Sequence, residues 1–178
     1  MRGIILAGGF GTRLLPLTKV TNKHLLPVFN KPMNYYPINT FVSAGITDIM
    51  ILTGSESAGD FINLLGDGAD FGANFTYKTQ RGAGGIAHAL GLCKDFVRDE
   101  PMVVMLGDNI LDEDIASDIK SFDENHTHAR IFLKEVPDPE RFGVAKIQQD
   151  TVVEVIEKPK NAESNLAVIG LYFYTNAV

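Results

Sequence analysis

Short apolar runs alternate with helical periodicity through the first two-thirds of the chain. GIILA (3–7), DIMILT (48–53) and PMVVML (101–106) are brief, rich in Ile, Leu, Val and Met, and bounded by turn residues. Such runs predict strands buried on both faces. NFTYKT (74–79) alternates apolar and polar positions and predicts another strand. Between them, MNYYPINTFVSAG (33–45) predicts a helix ending at Gly45, with Pro37 expected to weaken or bend its first turns. A short helix is expected around Asp60 to Leu65. From Gly85 onward, Ile86, Ala89, Leu90, Cys93, Phe96 and Val97 recur at helical spacing. Ile115, Ile119 and Phe122 mark a further helix, whose first turn is expected to hold Asp112, Glu113 and Asp114 at the positive end of its dipole.

This alternation predicts an α/β fold with a mostly parallel sheet and helices on both faces. Beyond about residue 125 the pattern changes. ARIFLKEV (129–136), GVAKIQ (143–148), TVVEVIE (151–157) and LAVIGLYFY (166–174) read as strands with no helices between them, and QQDT (148–151) reads as a hairpin turn. No internal repeat or linker interrupts the chain. One domain over 1–178 with a β-rich second half is expected.

The composition is that of a globular domain: 178 residues, 45% hydrophobic and 21% charged. The net charge is −6 and no segment is a Lys/Arg block, which argues against polymeric nucleic acid as a partner. A small anion remains compatible, because a few placed cations and backbone amides suffice for it. Cys93 is the only cysteine, so no internal disulfide forms, which fits a reducing cytoplasm. Its place in an apolar helical pattern predicts a buried, inert thiol. The longest apolar run, AVIGLYFY (167–174), is too short to span a bilayer, and the N-terminus lacks a signal-peptide pattern. A cytoplasmic protein with no membrane partner is expected.

The candidate chemistry starts at LAGGFGTRLLPLT (6–18), a glycine-rich loop directly after the first strand. Such a loop presents backbone amides to phosphate. It matches neither of the familiar glycine patterns. A dinucleotide fingerprint needs glycine where Leu14 stands, and a P-loop needs lysine where Thr12 and Arg13 follow Gly11. Arg13 distinguishes it, since a guanidinium beside exposed amides can grip phosphate oxygens. Taken alone, the loop reads equally as a tight strand-ending turn with Arg13 solvated.

The loop is followed, in order, by NKHLLPVFNKPM (22–33), VMLGDNI (104–110), ERFGVA (140–145), VIEKPK (155–160) and SNLAVIGLYFY (164–174). Together these six segments resemble the sugar-1-phosphate nucleotidyltransferases, and most closely their thymidylyl-transferring branch. The resemblance implies a Rossmann-like three-layer fold with a mixed sheet. It also implies transfer of a nucleoside monophosphate from dTTP or UTP to glucose 1-phosphate, giving a nucleotide sugar and pyrophosphate with Mg2+. An already ionised sugar-phosphate oxygen attacks the α-phosphorus, so positioning and electrostatics carry the catalysis without a general base.

Carried over residue by residue, the resemblance assigns the triphosphate cradle to Leu6, Ala7, Gly8, Gly9, Gly11, Thr12 and Arg13. Arg13 would stabilise the departing pyrophosphate and Lys23 would be a second cation on the phosphates. His24 stands where relatives often carry glutamine; it reads either as a neighbour of the nucleotide or as a packed histidine. Asp108 would be the Mg2+ ligand and contact the nucleotide, with a turn-capping role as the alternative. Asn109 and Asp112 would lie behind it. Gln80 and Gly85 correspond to base-reading positions. Gly143, Glu157, Lys158 and Val168 correspond to the sugar phosphate, with Lys158 on the attacking phosphate. At Phe142 close relatives often carry tyrosine, so a hydroxyl contact would be absent.

The resemblance assigns residues 1–125 to the nucleotide and 126–178 to the sugar phosphate. It also implies a continuation past the final strand that would carry a second metal aspartate and much of the subunit contact. A C-terminally truncated chain is therefore expected, one that binds nucleotide while turning it over weakly or not at all. A non-catalytic nucleotide-binding fragment or regulatory paralogue is the alternative. The apolar last strand is expected to promote association into a homo-oligomer.

Overall fold

The computed structural model describes residues 1–9, 11–82, 84–124, 128–149 and 151–177. The turn expected at 148–151 includes Asp150, which lies outside the described residues.

The strands are β1 (Arg2–Ala7), β2 (Pro27–Val28), β3 (Lys31–Pro32), β4 (Asp48–Gly54), β5 (Asn74–Gln80), β6 (Met102–Leu106), β7 (Ala129–Glu135), β8 (Gly143–Gln148), β9 (Thr151–Glu157) and β10 (Leu166–Tyr174). The helices are α1 (Tyr35–Ser43), α2 (Ala58–Leu65), α3 (Gly85–Leu92), α4 (Lys94–Val97) and α5 (Ala116–Glu124). All strands but β2 and β3 join one sheet in the order β5-β4-β1-β6-β10-β8-β9, with β7 also paired to β10. β5, β4, β1 and β6 are parallel; β10 runs antiparallel to β6, β7 and β8.

The central strands form as their composition dictates. Ile4, Ile5, Ile49, Ile51, Val103 and Val104 are fully buried, and side chains alternate between two cores. On one face Ile5, Ala7, Ile51, Val103 and Phe173 pack with Ile38, Phe41, Phe61 and Phe122, which come from α1, α2 and α5. On the other, Ile4, Leu6, Leu52 and Val104 meet Ala89, Cys93 and Val97 from α3, α4 and their junction. Helices thus cover both faces of a mixed sheet, as the apolar pattern indicates.

Three local features differ from the sequence pattern. Because α1 starts only at Tyr35, Pro37 falls in its first turn, where the missing N–H costs no intrahelical hydrogen bond. The helix after Gly85 breaks at Cys93 into α3 and α4. Asp112, Glu113 and Asp114 precede α5 instead of forming its first turn; Asp114 accepts from the Ala116 amide at 2.9 Å, so this short acid caps the helix from outside. The chain between β1 and α1 is also more structured than its loop-like composition suggests, with single turns of 3-10 helix at Thr12–Leu14, Leu17–Lys19 and Lys23–Leu25.

Candidate active site

The C-terminal ends of β1, β4, β5 and β6 share one edge of the sheet, because all four run parallel. Register places Leu6 beside Leu52 and Leu106, and Gly54 beside Gln80. The chain leaves β1 toward β4 and β5 and returns to its other side with β6. In open α/β sheets, ligands bind at such a reversal of strand order. A cavity of about 230 Å³ opens there, lined by Leu6, Gly8, Gly9, Gln80, Gly85 and Ile86 among others.

The glycine-rich loop leaves β1 over this cavity. Gly11 sits at φ +57°, and a methyl group on it would meet Thr18 Cγ2 at 2.8 Å and Lys23 Cβ at 3.0 Å. Both the backbone and the space therefore demand glycine. Thr18 Oγ1 donates to the Gly11 carbonyl at 2.8 Å and draws the loop onto the following turn. Thr12 and Arg13 lie outward on the 3-10 turn, exposed; among the described residues no carboxylate pairs with the Arg13 guanidinium.

Lys23 and His24 occupy the last of the three 3-10 turns, capped by Asn22, whose Oδ1 accepts from the His24 amide at 3.0 Å. Asn22 Nδ2 donates to the Ala7 carbonyl at 3.4 Å and reaches Ser57 Oγ at 3.3 Å, which ties this turn to the end of β1. The His24 ring is 1% exposed, with Nδ1 2.7 Å from Asn22 Oδ1. Burial, then the neighbouring Lys23 charge, push its pKa down to about 4, so it is neutral at pH 7. Its Cδ2 lies against Gly107, where a methyl group would stand only 2.8 Å away. This burial fits the packed reading of His24: the ring braces the Lys23 turn against the end of β6.

Lys23 Nζ forms an ion pair with Asp108 Oδ2. Partial burial works to raise the Asp108 pKa, but the Lys23 hydrogen bond and charge outweigh it and hold the carboxyl below its ordinary range. Among the described residues, no group of three or more His, Cys, Asp and Glu side chains could hold a metal ion. Asp108 alone would offer one hard oxygen ligand. That suits Mg2+ only where phosphates and waters complete the shell. Asp108, Asn109 and Asp112 also border a second cavity, of about 520 Å³, which runs toward Phe132 and Leu171.

Gly143, Glu157, Lys158 and Val168 come together where β8, β9 and β10 meet. Gly143 is the register partner of Glu157, and a methyl group on it would lie 3.3 Å from Glu157 Oε2 and 3.9 Å from Val168 Cβ. Lys158 has φ +45°, its amide donates to the Phe142 carbonyl at 2.9 Å, and its Nζ bonds Glu157 Oε1 at 2.5 Å. Burial, then Tyr174 and Glu157, push the Tyr172 phenol up.

Of the sequence-derived nucleotide positions, Leu6, Gly8, Gly9, Gln80 and Gly85 line the cavity, while Ala7 is buried in β1 and faces the opposite core. Leu52, Gly54, Glu56, Gly82, Ile86, Ala89 and Leu106 also line it, and the sequence marks none of them as a site residue, although Leu106 lies within VMLGDNI. Their only sequence signal is position at or just past a strand's end or on the inner face of α3.

The family model for nucleotidyl transferases matches residues 2–178. The chain belongs to the nucleotidyl transferase family. It is 45% identical, over 97% of its length, to a glucose-1-phosphate thymidylyltransferase of Xanthomonas campestris. The solved structure of a Bacillus anthracis protein named as a glucose-1-phosphate thymidylyltransferase, in complex with sucrose, superposes with a TM-score of 0.96 at 54% identity, covering 98% of this chain and 71% of that one. A UDP-glucose pyrophosphorylase complexed with UDP-glucose superposes at 0.82 with 28% identity, covering 99% and 76%. The chain spans between 50% and 62% of the length of the curated relatives it matches. The chain is thus a glucose-1-phosphate thymidylyltransferase-like member of its family, with the mixed sheet those structures share.

Proposed function

We propose that the chain binds dTTP, or UTP, in the cavity at the ends of β1, β4, β5 and β6 and transfers the nucleoside monophosphate to glucose 1-phosphate. The products are dTDP-glucose, or its uridine counterpart, and pyrophosphate. The observation that carries this reading is the grouping, at one sheet edge, of a glycine-rich amide loop, the Lys23–Asp108 pair and the Glu157–Lys158 patch. The names of the relatives support the substrate class.

In this reading Gly8, Gly9, Gly11 and Thr12 offer amides to the triphosphate, Gln80 and Gly85 face the base, and Arg13 and Lys23 neutralise the β- and γ-phosphates. Gly143, Glu157 and Val168 hold the glucose ring, with the Glu157 carboxylate accepting from its hydroxyls. Lys158 steers the sugar phosphate, whose oxygen attacks the α-phosphorus as the bond to pyrophosphate breaks. Mg2+, held by Asp108 together with substrate oxygens, would supply charge neutralisation on the phosphates. Residues 1–125 serve the nucleotide and 126–178 the sugar phosphate. The working compartment is the cytoplasm, and copies associate through exposed apolar surface.

One observation favours a second reading, binding without turnover: among the described residues no group of three or more His, Cys, Asp and Glu side chains could hold a metal ion, so Asp108 has no ready set of protein co-ligands. Pyrophosphate release from dTTP and glucose 1-phosphate, measured beside calorimetric dTTP binding, tests both. Release with binding supports transfer; binding alone supports the second reading; neither overturns both.

A further inference from the structure

Gln80 ends β5 with its amide held from one side. Nε2 donates to the Gly85 carbonyl at 3.4 Å and lies 2.8 Å from Nδ1 of His88. A carbonyl oxygen can only accept, so the NH2 group faces Gly85 and His88 while Oε1 faces away. Oε1 points toward Gly8, 3.8 Å from where a methyl group on that glycine would sit, and both residues line the cavity. With Nε2 donating, His88 Nδ1 accepts, which selects the imidazole tautomer protonated at Nε2. His88 is not among the residues that line the cavity.

The approach of His88 depends on the residue one turn earlier. A methyl group on Gly84 would stand 2.2 Å from His88 Nδ1. Gly84 itself has φ −82° and ψ 2°, a conformation open to residues with side chains. Its missing side chain therefore serves the closeness of the imidazole, not the path of the backbone.

We propose that His88 is a positioning residue for base selection: it locks the Gln80 amide so that an acceptor, Oε1, faces the base. The proposal rests on the reading of Gln80 as base-facing. A fixed acceptor pairs with a ring N–H flanked by carbonyls, as in thymine and uracil. Against cytosine, whose ring nitrogen at that place bears a lone pair, it sets acceptor against acceptor. Without His88 the amide keeps only the 3.4 Å bond to the Gly85 carbonyl and presents its NH2 group to the base more readily, so the distinction fades.

The test is calorimetric titration of dTTP and dCTP into the wild-type chain and the variants His88→Ala, Gly84→Ala and His88→Gln, each checked for intact thermal unfolding. The wild-type chain is expected to prefer dTTP by about tenfold or more, the scale of one mismatched hydrogen-bond pair. His88→Ala and Gly84→Ala should bring the two affinities to within about threefold of each other. His88→Gln should restore the preference, because its own Oε1 can accept from Gln80. An unchanged preference in folded His88→Ala, or a wild-type chain that binds both triphosphates equally, overturns the role of His88 and leaves the nucleotide-binding reading standing. A wild-type chain that binds neither overturns that reading too.

Discussion

Lys23 and Asp108, 85 residues apart in the chain, meet as an ion pair because β1 and β6 are parallel neighbours whose ends open on the same side. Both side chains are part-exposed, so solvent screens the attraction and the pair adds little to stability. In the proposed reading its importance is to the chemistry: an ammonium occupies the carboxylate that a metal would need. Asp108→Asn is therefore expected to fold normally, to lose pyrophosphate release by about a hundredfold or more, and to bind Mn2+ more weakly in the presence of dTTP. Full turnover in this variant would remove Asp108 from the metal role.

His24 predicts a pH dependence of stability. Its folded pKa lies near 4, below the ordinary 6.5, because burial disfavours the charged ring. The unfolded chain thus binds more protons between these values, and the stability present above pH 6.5 falls as pH drops toward 4. The contribution is on the order of 3 kcal/mol for a group this buried. Urea unfolding at a series of pH values should show the decline, and His24→Gln should flatten it over that window. An equally steep decline in the variant would place its origin elsewhere.

Lys158 holds a left-handed backbone, φ +45°, at the end of β9. A residue with a Cβ is held there at a cost of about 1–2 kcal/mol, part of which glycine recovers after its own entropy loss. Lys158→Gly should leave the melting temperature unchanged or slightly raised, whereas Lys158→Val should lower it. Both should lose sugar-phosphate turnover, read as a rise in KM for glucose 1-phosphate with a fall in kcat. Such a split between stability and activity is expected where strain serves a site.

Gly11→Ala combines an unfavourable φ with a methyl group 2.8 Å from Thr18 Cγ2. It should destabilise the chain by about 1–3 kcal/mol and weaken dTTP binding, since the loop must shift to admit the methyl group. Chemical denaturation and calorimetry would report the two effects, and wild-type affinity in the variant would show that the loop does not carry the phosphates.

Much of the fold is legible in the residues alone. β1, β4 and β6 announce themselves as short runs of Ile, Leu, Val and Met, and the alternation in β5 appears as alternating exposure. What escapes is set by few-residue preferences that neighbours overrule. The break at Cys93 interrupts an apolar period that runs unbroken in sequence. Asp112 to Asp114 look like a helical first turn until one of them is used as an outside cap. The site divides in the same way. Gly8, Gly9, Gln80 and Gly85 are marked out by the sequence, while Glu56, Leu106 and His88 are not, since their places near the cavity depend on which strand ends and helix turns lie side by side.

By itself, then, the sequence determined the eight strands of the large sheet, the burial of β1, β4 and β6, and the glycine-rich stretch after β1, because hydrophobic period and turn chemistry act over a few residues. It also determined the inert Cys93, fully buried with its thiol pushed up to about 11 by burial. The tertiary structure alone decided that His24 is a brace, that Lys23 pairs with Asp108, and that the Gln80 amide is held by His88. These are contacts between residues brought together by strand order and helix placement. Such order is chosen by the packing of whole faces against one another, and no local stretch of chain encodes it.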